Sequence, residues 1–518
     1  MWCLDVLVTI IEATAAPPAP TQPPPNTDQP DRQGDAAATQ RPSEMRQSAS
    51  RLETFAFEEV QLSATEEQQL ERKRHPLPPR PTEPLTLPSL KAVTGAVREH
   101  PVLADRGWRM SSLETVDQEG WDAYSLGRFI RSSRCLRRVG GHLPGEQWAT
   151  VLDHIPMADE KQQEPLRQLQ SVGTIELGGN PHEARAAVDR LQAALTSRGC
   201  RCSLSELVVA LDFNDIDSSV LPLLQSLASL HSSCCRPDAE IVFEATSIRS
   251  LDLSLFYSED FPINPSRLFK MAIQTAARKA DGVRYAISQH DLTHPVDNPI
   301  ETAIEIAKTL SFDNVTAVRV CNAFSSVPPP GTPSPRPAII NHLQPFPGAR
   351  SLDIVSAVGG AAGRLLAQKM PRGVGVVWFE PPVSGEDRRG VLEGLGEERE
   401  VGRVSVSPFN AVSLTEDPFD GWRSDSFPSI GDISMVLSVP DDLEPSSAAE
   451  RIRDGMSSIV GGGVRGLRSL TVHVRGNGAV RSAIEQLLCT HTCTEVGSNF
   501  ITTRHRGSTI EVTARRRS

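Results

Sequence analysis

The sequence predicts an α/β fold: an irregular solenoid of parallel strands with helices outside, preceded by a small helical region and a disordered N-terminal tail. Three observations predict it. Short apolar triplets with strand-like spacing recur between residues 172 and 512. Stripes of apolar residues three and four apart, the period of one buried helix face, lie between them. Residues 15–100 are poor in core formers and rich in Pro, Gln and Asp, a composition that cannot offset the entropy of ordering.

The clearest unit spans residues 172–195. It opens VGTIELGGN, with Val172, Ile175 and Leu177 apolar and Asn180 closing it. This spacing resembles the L-x-x-L-x-L-x-x-N signature of a leucine-rich repeat. In the following PHEARAAVDRLQAAL, residues Ala184, Ala187, Val188, Leu191, Ala194 and Leu195 fall on one helix face. A strand and helix this short cannot bury both apolar faces alone, whereas stacked copies can.

The chain of 518 residues is long enough for several domains or for one long array with a tail. Its formal charge of −11 argues against a general nucleic-acid binder, which would carry a basic face. Nine cysteines, an odd number without compact spacing, fit a reducing, cytoplasmic compartment better than a disulfide scaffold. The start, MWCLDVLVTII, lacks a basic region and carries Asp5, so it reads as a hydrophobic end rather than an export signal. No run is long enough to span a membrane.

In chain order, residues 1–100 form the Pro-rich tail. Its Arg72, Lys73 and Arg74 leave a nuclear-import reading open beside that of a solvated charge cluster. Residues 101–141 form a helical lead-in. There WDAYSLGRFIRSSRCLRRV reads as one helix stopped by Gly140 and Gly141. Residues 142–170 follow. Pro144 sits where a helix can begin, Trp148, Val151, Leu152 and Ile155 form a stripe, and Pro156 ends it.

This stretch resembles the first half of an F-box, which commonly reads Leu-Pro-x-Glu, an apolar helix, a Leu-Pro-like pair and an acid. The matching positions are Leu143, Pro144, Glu146, Val151, Leu152, Ile155, Pro156 and Asp159. The following EKQQEPLRQLQ departs from the motif. The other reading is a helix that caps the array.

From residue 171 to 518 the triplet recurs as Leu204, Leu207, Val209; as Ile248, Leu251, Leu253; and as Val315, Val318, Val320. It returns as Val374, Val377, Phe379; as Val401, Val404, Val406; and as Leu467, Leu470, Val472. Weaker copies stand at Tyr285 with Ile287, Leu352 with Ile354, Met435 with Leu437, and Ile510 with Val512. Spacing is longer than usual for the family, the other clean copies lack the asparagine of Asn180, and a Pro-rich loop interrupts the array over residues 325–348.

Residues 348–518 carry a weaker, second resemblance. SLDIVSAVGGAAGRLLAQ reads as strand, Gly-rich turn and helix, and VGVVWFE ends in Glu380. The stretch is similar to the first motif of a Rossmann-type S-adenosylmethionine methyltransferase of the ribosomal-RNA 2′-O type, in degenerate form. The matching residues are Asp353, Ile354, Val355, Ser356, Ala357, Val358, Gly359 and Gly360. Val355 replaces a glycine, Val439 stands where that family has a catalytic Asp, and His473 stands where it has a Lys.

Elsewhere, Cys489, His491 and Cys493 lack a fourth metal partner, and Cys200, Cys202, Cys234 and Cys235 read as buried or loop thiols. Gly461, Gly462 and Gly463 read as a helix stop. No catalytic, metal or cofactor site is expected. The expected function is protein–protein interaction. The F-box resemblance implies a substrate receptor of a cullin–RING (SCF-type) ubiquitin ligase, with Leu143, Pro144, Trp148, Val151, Leu152 and Ile155 contacting a Skp-type adaptor and an unknown target on the concave face. The alternatives are a leucine-rich-repeat scaffold without adaptor binding and the methyltransferase-like domain. Neither nucleic acid nor membrane is an expected partner.

Overall fold

The computed structural model describes residues 8–9, 11–12, 52–56, 84–95, 100–117, 121–158, 164–287, 300–322, 338–355, 360–380, 383–407, 411–462, 464–490, 498–506 and 509–516. They fall into two compact units, Met1–Leu211 with Gln225–Glu244, and Asp212–Leu224 with Ala245–Ser518.

In chain order the first eight strands are β1 (Thr54–Ala56), β2 (Ala92–Thr94), β3 (Thr115–Asp117), β4 (Arg138–Pro144), β5 (Ser171–Gly178), β6 (Leu204–Asp212), β7 (Asp215–Ile216) and β8 (Cys235–Ala245). All but β7 build a seven-stranded sheet whose strand order is the chain order. Strands β1 to β5 pair in parallel. Helices α1 (His100–Arg106), α2 (Ala123–Ile130), α3 (Gly145–Asp153) and α4 (Pro181–Ser197) connect these strands, and each neighbours the next. Parallel strands require such crossovers.

Local chemistry sets the helix ends. Pro181 opens α4, where a missing N–H costs nothing. Asn180 caps it, its side chain accepting from the His182 N–H at 2.9 Å. Ala184, Val188, Leu191, Ala194 and Leu195 are the buried stripe, as the spacing predicts. Asp122 caps α2 in the same way through Ser125.

The single helix expected from Trp121 to Val139 is corrected. It stops at Ile130, and Arg138–Pro144 is strand β4. Val139 and Leu143 are buried and pair with Val172 and Ile175 of β5, so sheet pairing overrides local helix propensity. Gly140 and Gly141 lie inside this strand. The ladder slips between Val139 and His142, and Gly141, at φ +138°, supplies a backbone conformation that other residues resist.

Most of the expected tail lies outside the described residues. Its described parts hold β1 and β2, and Leu87 and Leu90 are buried. Glu12 pairs with the buried Arg106, whose Nε donates to Oε1 at 2.6 Å.

The second unit holds β7 and β9 (Ser250–Asp252), β10 (Gly282–Ile287), β11 (Ala317–Asn322), β12 (Ser351–Val355), β13 (Gly373–Phe379), β14 (Glu400–Val406), β15 (Val412–Ser413), β16 (Ser429–Ser438), β17 (Ser469–Arg475), β18 (Ser498–Arg506) and β19 (Thr509–Arg516). Its twelve-stranded sheet also follows chain order from β7 to β17, with β15 beside β16, then β19 and β18. Pairing is parallel up to β17, and the last two ladders are antiparallel. Strand β12, which carries Leu352, lies between its chain neighbours β11 and β13.

Helices α5 (Leu221–Cys234), α6 (Arg267–Lys279), α7 (Ile300–Ala307), α8 (Ala338–His342), α9 (Gly360–Lys369), α10 (Gly385–Leu395), α11 (Pro445–Gly461) and α12 (Gly478–Thr490) complete the described set. Helix α8 lies in the expected Pro-rich loop, whose residues 325–337 are outside the described set. Gly461 ends α11 and Gly462 caps it, matching the expected stop. No described helix is long and apolar enough to cross a membrane.

The expected array of residues 171–518 is thus divided. The triplets at Ile175 and Leu207 belong to the first sheet, and those from Leu251 onward to the second. The triplet at Leu251 is cut short because Asp252 accepts from the Ser254 N–H at 2.9 Å and starts a 3-10 turn, Leu253–Tyr257.

Candidate functional site

Successive side chains of a strand point to opposite faces of its sheet. In the second unit Leu251, Val283, Tyr285, Val318, Val320, Leu352, Ile354, Val377 and Phe379 are buried. The residues between them form a polar row on the other face. The parallel register places Asp252 beside Arg284, Arg284 beside Arg319, Arg319 beside Asp353, and Asp353 beside Trp378. The row continues through Ser405, Ser434 and Thr471. It is therefore strongly charged at its β9–β12 end and aromatic at β13.

Two ion pairs cross the charged end. Arg284 Nε lies 3.6 Å from Asp252 Oδ2, and Arg319 Nε lies 3.9 Å from Asp353 Oδ2. Both arginine side chains remain about half exposed, at 48% and 50%, which leaves surface for a second contact. Arg284 Nε also donates to Cys321 Sγ at 3.0 Å. Burial pushes the Cys321 thiol up despite the opposing effect of Arg284, which argues against a thiolate nucleophile there. Burial also holds the Asp353 carboxyl above its ordinary range. Arg319 opposes that shift and Glu380 adds to it.

This arrangement offers charged and aromatic side chains on one face of the sheet. Among the described residues no group of three His, Cys, Asp or Glu side chains is placed to hold a metal ion. The Cys489–Cys493 candidate lies largely outside the described set, including His491 and Cys493. Cys200, Cys234 and Cys235 are buried thiols and Cys202 is exposed, in line with the sequence reading.

The six residues expected to meet an adaptor are placed otherwise. Trp148 and Val151 are 0% exposed, Leu152 and Ile155 1%, and Leu143 6%. Pro144 alone is exposed, at the end of β4. The Trp148 Nε1–H donates to the Thr174 carbonyl at 3.0 Å, so the indole is tied to β5. Ile155's carbonyl accepts from the buried Arg198 Nε at 2.8 Å. The stripe expected to anchor an adaptor is packed between α3 and its own sheet. Asp159 lies outside the described residues.

Of the cofactor-motif residues, Asp353 faces Arg319, Ile354 is buried and Val355 is half-buried in β12. Ser356–Gly359 are outside the described set, and Gly360 begins α9. Val439 is 8% exposed after β16. His473 Nδ1 lies 3.9 Å from Glu511 Oε2. Arg284, Arg319 and Trp378 were not singled out by sequence reasoning. Their only signal is a large polar or aromatic residue between two apolar ones in a strand, and it takes the register to join them.

No family model matches the chain, and neither does any curated protein.

Proposed function

We propose that this chain is a protein-binding scaffold whose second unit, a diverged leucine-rich-repeat-like array, holds a partner protein along the row Asp252–Arg284–Arg319–Asp353–Trp378. The observation that carries this reading is the register that aligns two half-exposed arginines and a tryptophan on five consecutive parallel strands. Arginine and tryptophan are the side chains that most often dominate binding energy when a partner excludes water from them. Strands in chain order, each beside its sequence neighbour, support a stacked-repeat origin.

Two observations favour a free-standing scaffold over the other readings. The apolar face of α3 is occupied by its own sheet, which leaves little for a Skp-type adaptor of a ubiquitin ligase to grip. A dinucleotide- or S-adenosylmethionine-type fold binds where strand order reverses. Strand β12 has its chain neighbours on both sides.

The test is quantitative proximity labelling and co-purification with the full chain, comparing Arg319→Glu and Trp378→Ala with the exposed-helix control Arg185→Glu. A partner retained by the control and lost by both face variants supports the reading. Partners unchanged by both face variants, retention of a Skp-type adaptor as the main partner, or saturable binding of S-adenosylmethionine would each overturn it.

A further inference from the structure

A cavity of about 350 Å³ opens at the C-terminal ends of β13 and β14, beside β15 and the first turn of α10. Its size falls at the small end of the range for small-molecule sites. Phe379, Val383, Val406 and Val412 give it apolar walls. None of the row residues Asp252, Arg284, Arg319, Asp353 and Trp378 lines it, although Glu380 acts on Asp353, and the inference goes beyond the scaffold reading.

One wall is a buried cation. Arg388 lines the cavity and is 2% exposed. Its Nη2 donates to the carbonyls of Pro418, at 3.2 Å, and Asp420. Its guanidinium lies 5.0 Å from the Trp422 ring. No carboxylate among the described residues lies within ion-pair distance, and its Nε–H has no hydrogen-bond partner. Burial lowers its pKa to about 10, so it stays charged at neutral pH. Asp420 and Asp417 offset part of this burial from beyond contact distance, and an entering carboxylate in direct contact would offset more of the cost.

Buried polar groups are ordinarily satisfied, and the Arg388 Nε–H at this cavity is not.

The remaining lining is acidic: Glu380, Glu416 and Asp417. The first turn of α10 carries Glu386 and Asp387 of its own, and Ser384 caps it through the Asp387 N–H at 3.0 Å. A phosphate or other polyanion would meet these charges at short range. A single carboxylate that arrives with its own ammonium group satisfies both signs, and the walls take a hydrocarbon side chain.

We propose that this cavity binds a free α-amino acid with an apolar side chain, its carboxylate on Arg388 and its ammonium at Glu380 and the rim carboxylates Glu416 and Asp417. The test is isothermal titration of the full chain with L-leucine, L-leucinamide and N-acetyl-L-leucine. L-leucine is expected to bind saturably. Each derivative removes one charge and is expected to bind at least about tenfold more weakly. Arg388 also ties down Pro418 and Asp420, and Arg388→Gln can fail to fold. Glu380→Gln is therefore the decisive variant, expected to weaken L-leucine about tenfold with an unchanged melting temperature. Absence of saturable heat with L-leucine, equal binding of leucinamide, or unchanged affinity in Glu380→Gln would overturn the proposal.

Discussion

Asp353 occupies a position where two effects oppose each other. Arg319 at 3.9 Å favours its charged form, but desolvation on the half-covered strand outweighs that, and the carboxyl sits above its ordinary range. The folded chain thus binds this proton more tightly than the unfolded chain does. The group's contribution to stability is fully present below the ordinary aspartate value and is lost as pH rises through the raised value. Asp353→Asn keeps the neutral form at every pH. It should match the parent in acid and become the more stable of the two as pH climbs through that window. Urea denaturation at a series of pH values reads this directly, and a difference that stays constant with pH would contradict it. The same residue shows what the sequence hides. Asp353 in SLDIV reads as one polar residue in an alternating strand. Its relation to Arg319 depends on a parallel register set by residues more than thirty positions away.

At the scale of elements, α3 and the strands beneath it show how far periodicity reaches. The stripe Trp148, Val151, Leu152 and Ile155 predicted a helix, and Gly145–Asp153 is one. Periodicity says that such a face is covered, but not by what. Here the cover is the unit's own sheet. The facing strand is hidden in the sequence because Gly140 and Gly141 are equally good as a helix stop and as an irregularity in a strand. The close approach of β4 and β5 decides between them. A Cβ on Gly173 would stand 2.1 Å from the Gly141 carbonyl oxygen and 2.8 Å from the Trp148 ring. Two changes test this packing. Trp148→Ala should cost about 3–5 kcal/mol by emptying the space under α3. Gly173→Ala should cost about 1–3 kcal/mol, because the obstacle is backbone rather than a side chain that can swing away. Guanidinium denaturation of both variants measures these costs. A Trp148→Ala chain of parental stability would mean that the indole is free for a partner after all.

For each unit taken whole, strand order follows chain order up to β17, and from β5 onward this is legible wherever a rung repeats the short apolar signal, which β1 to β4 lack. The exceptions are strands without that signal. Strand β8 (CRPDAEIVFEA) and β18 (SNFITTRHR) are too polar to stand out, and they take their place through backbone pairing. Strand β19 shows what such additions do. A ladder of parallel strands leaves the backbone N–H and C=O groups of its last member open, and an open edge invites pairing with another chain. In the second unit β17 is that member, and β19 covers it from Ser469 to Arg475 by running antiparallel, with Ile510, Val512 and Ala514 buried behind it. Thr471 and Thr513 hydroxyls meet across this seam at 3.3 Å. Removing residues 491–518 should therefore expose the β17 edge and the apolar surface under β19. The shortened chain should melt at a lower temperature and form concentration-dependent oligomers in sedimentation velocity, where the full chain gives a smaller species at the same concentration. Substituting Val472 and Val474 of β17 with lysine would not rescue it, since both are buried side chains. Lysine at Thr471 and His473 on the opposite face should suppress the association, because charges on an edge strand block edge-to-edge pairing. A truncated chain that keeps the parent's sedimentation and melting behaviour would show that the reversed strands are not what closes this sheet.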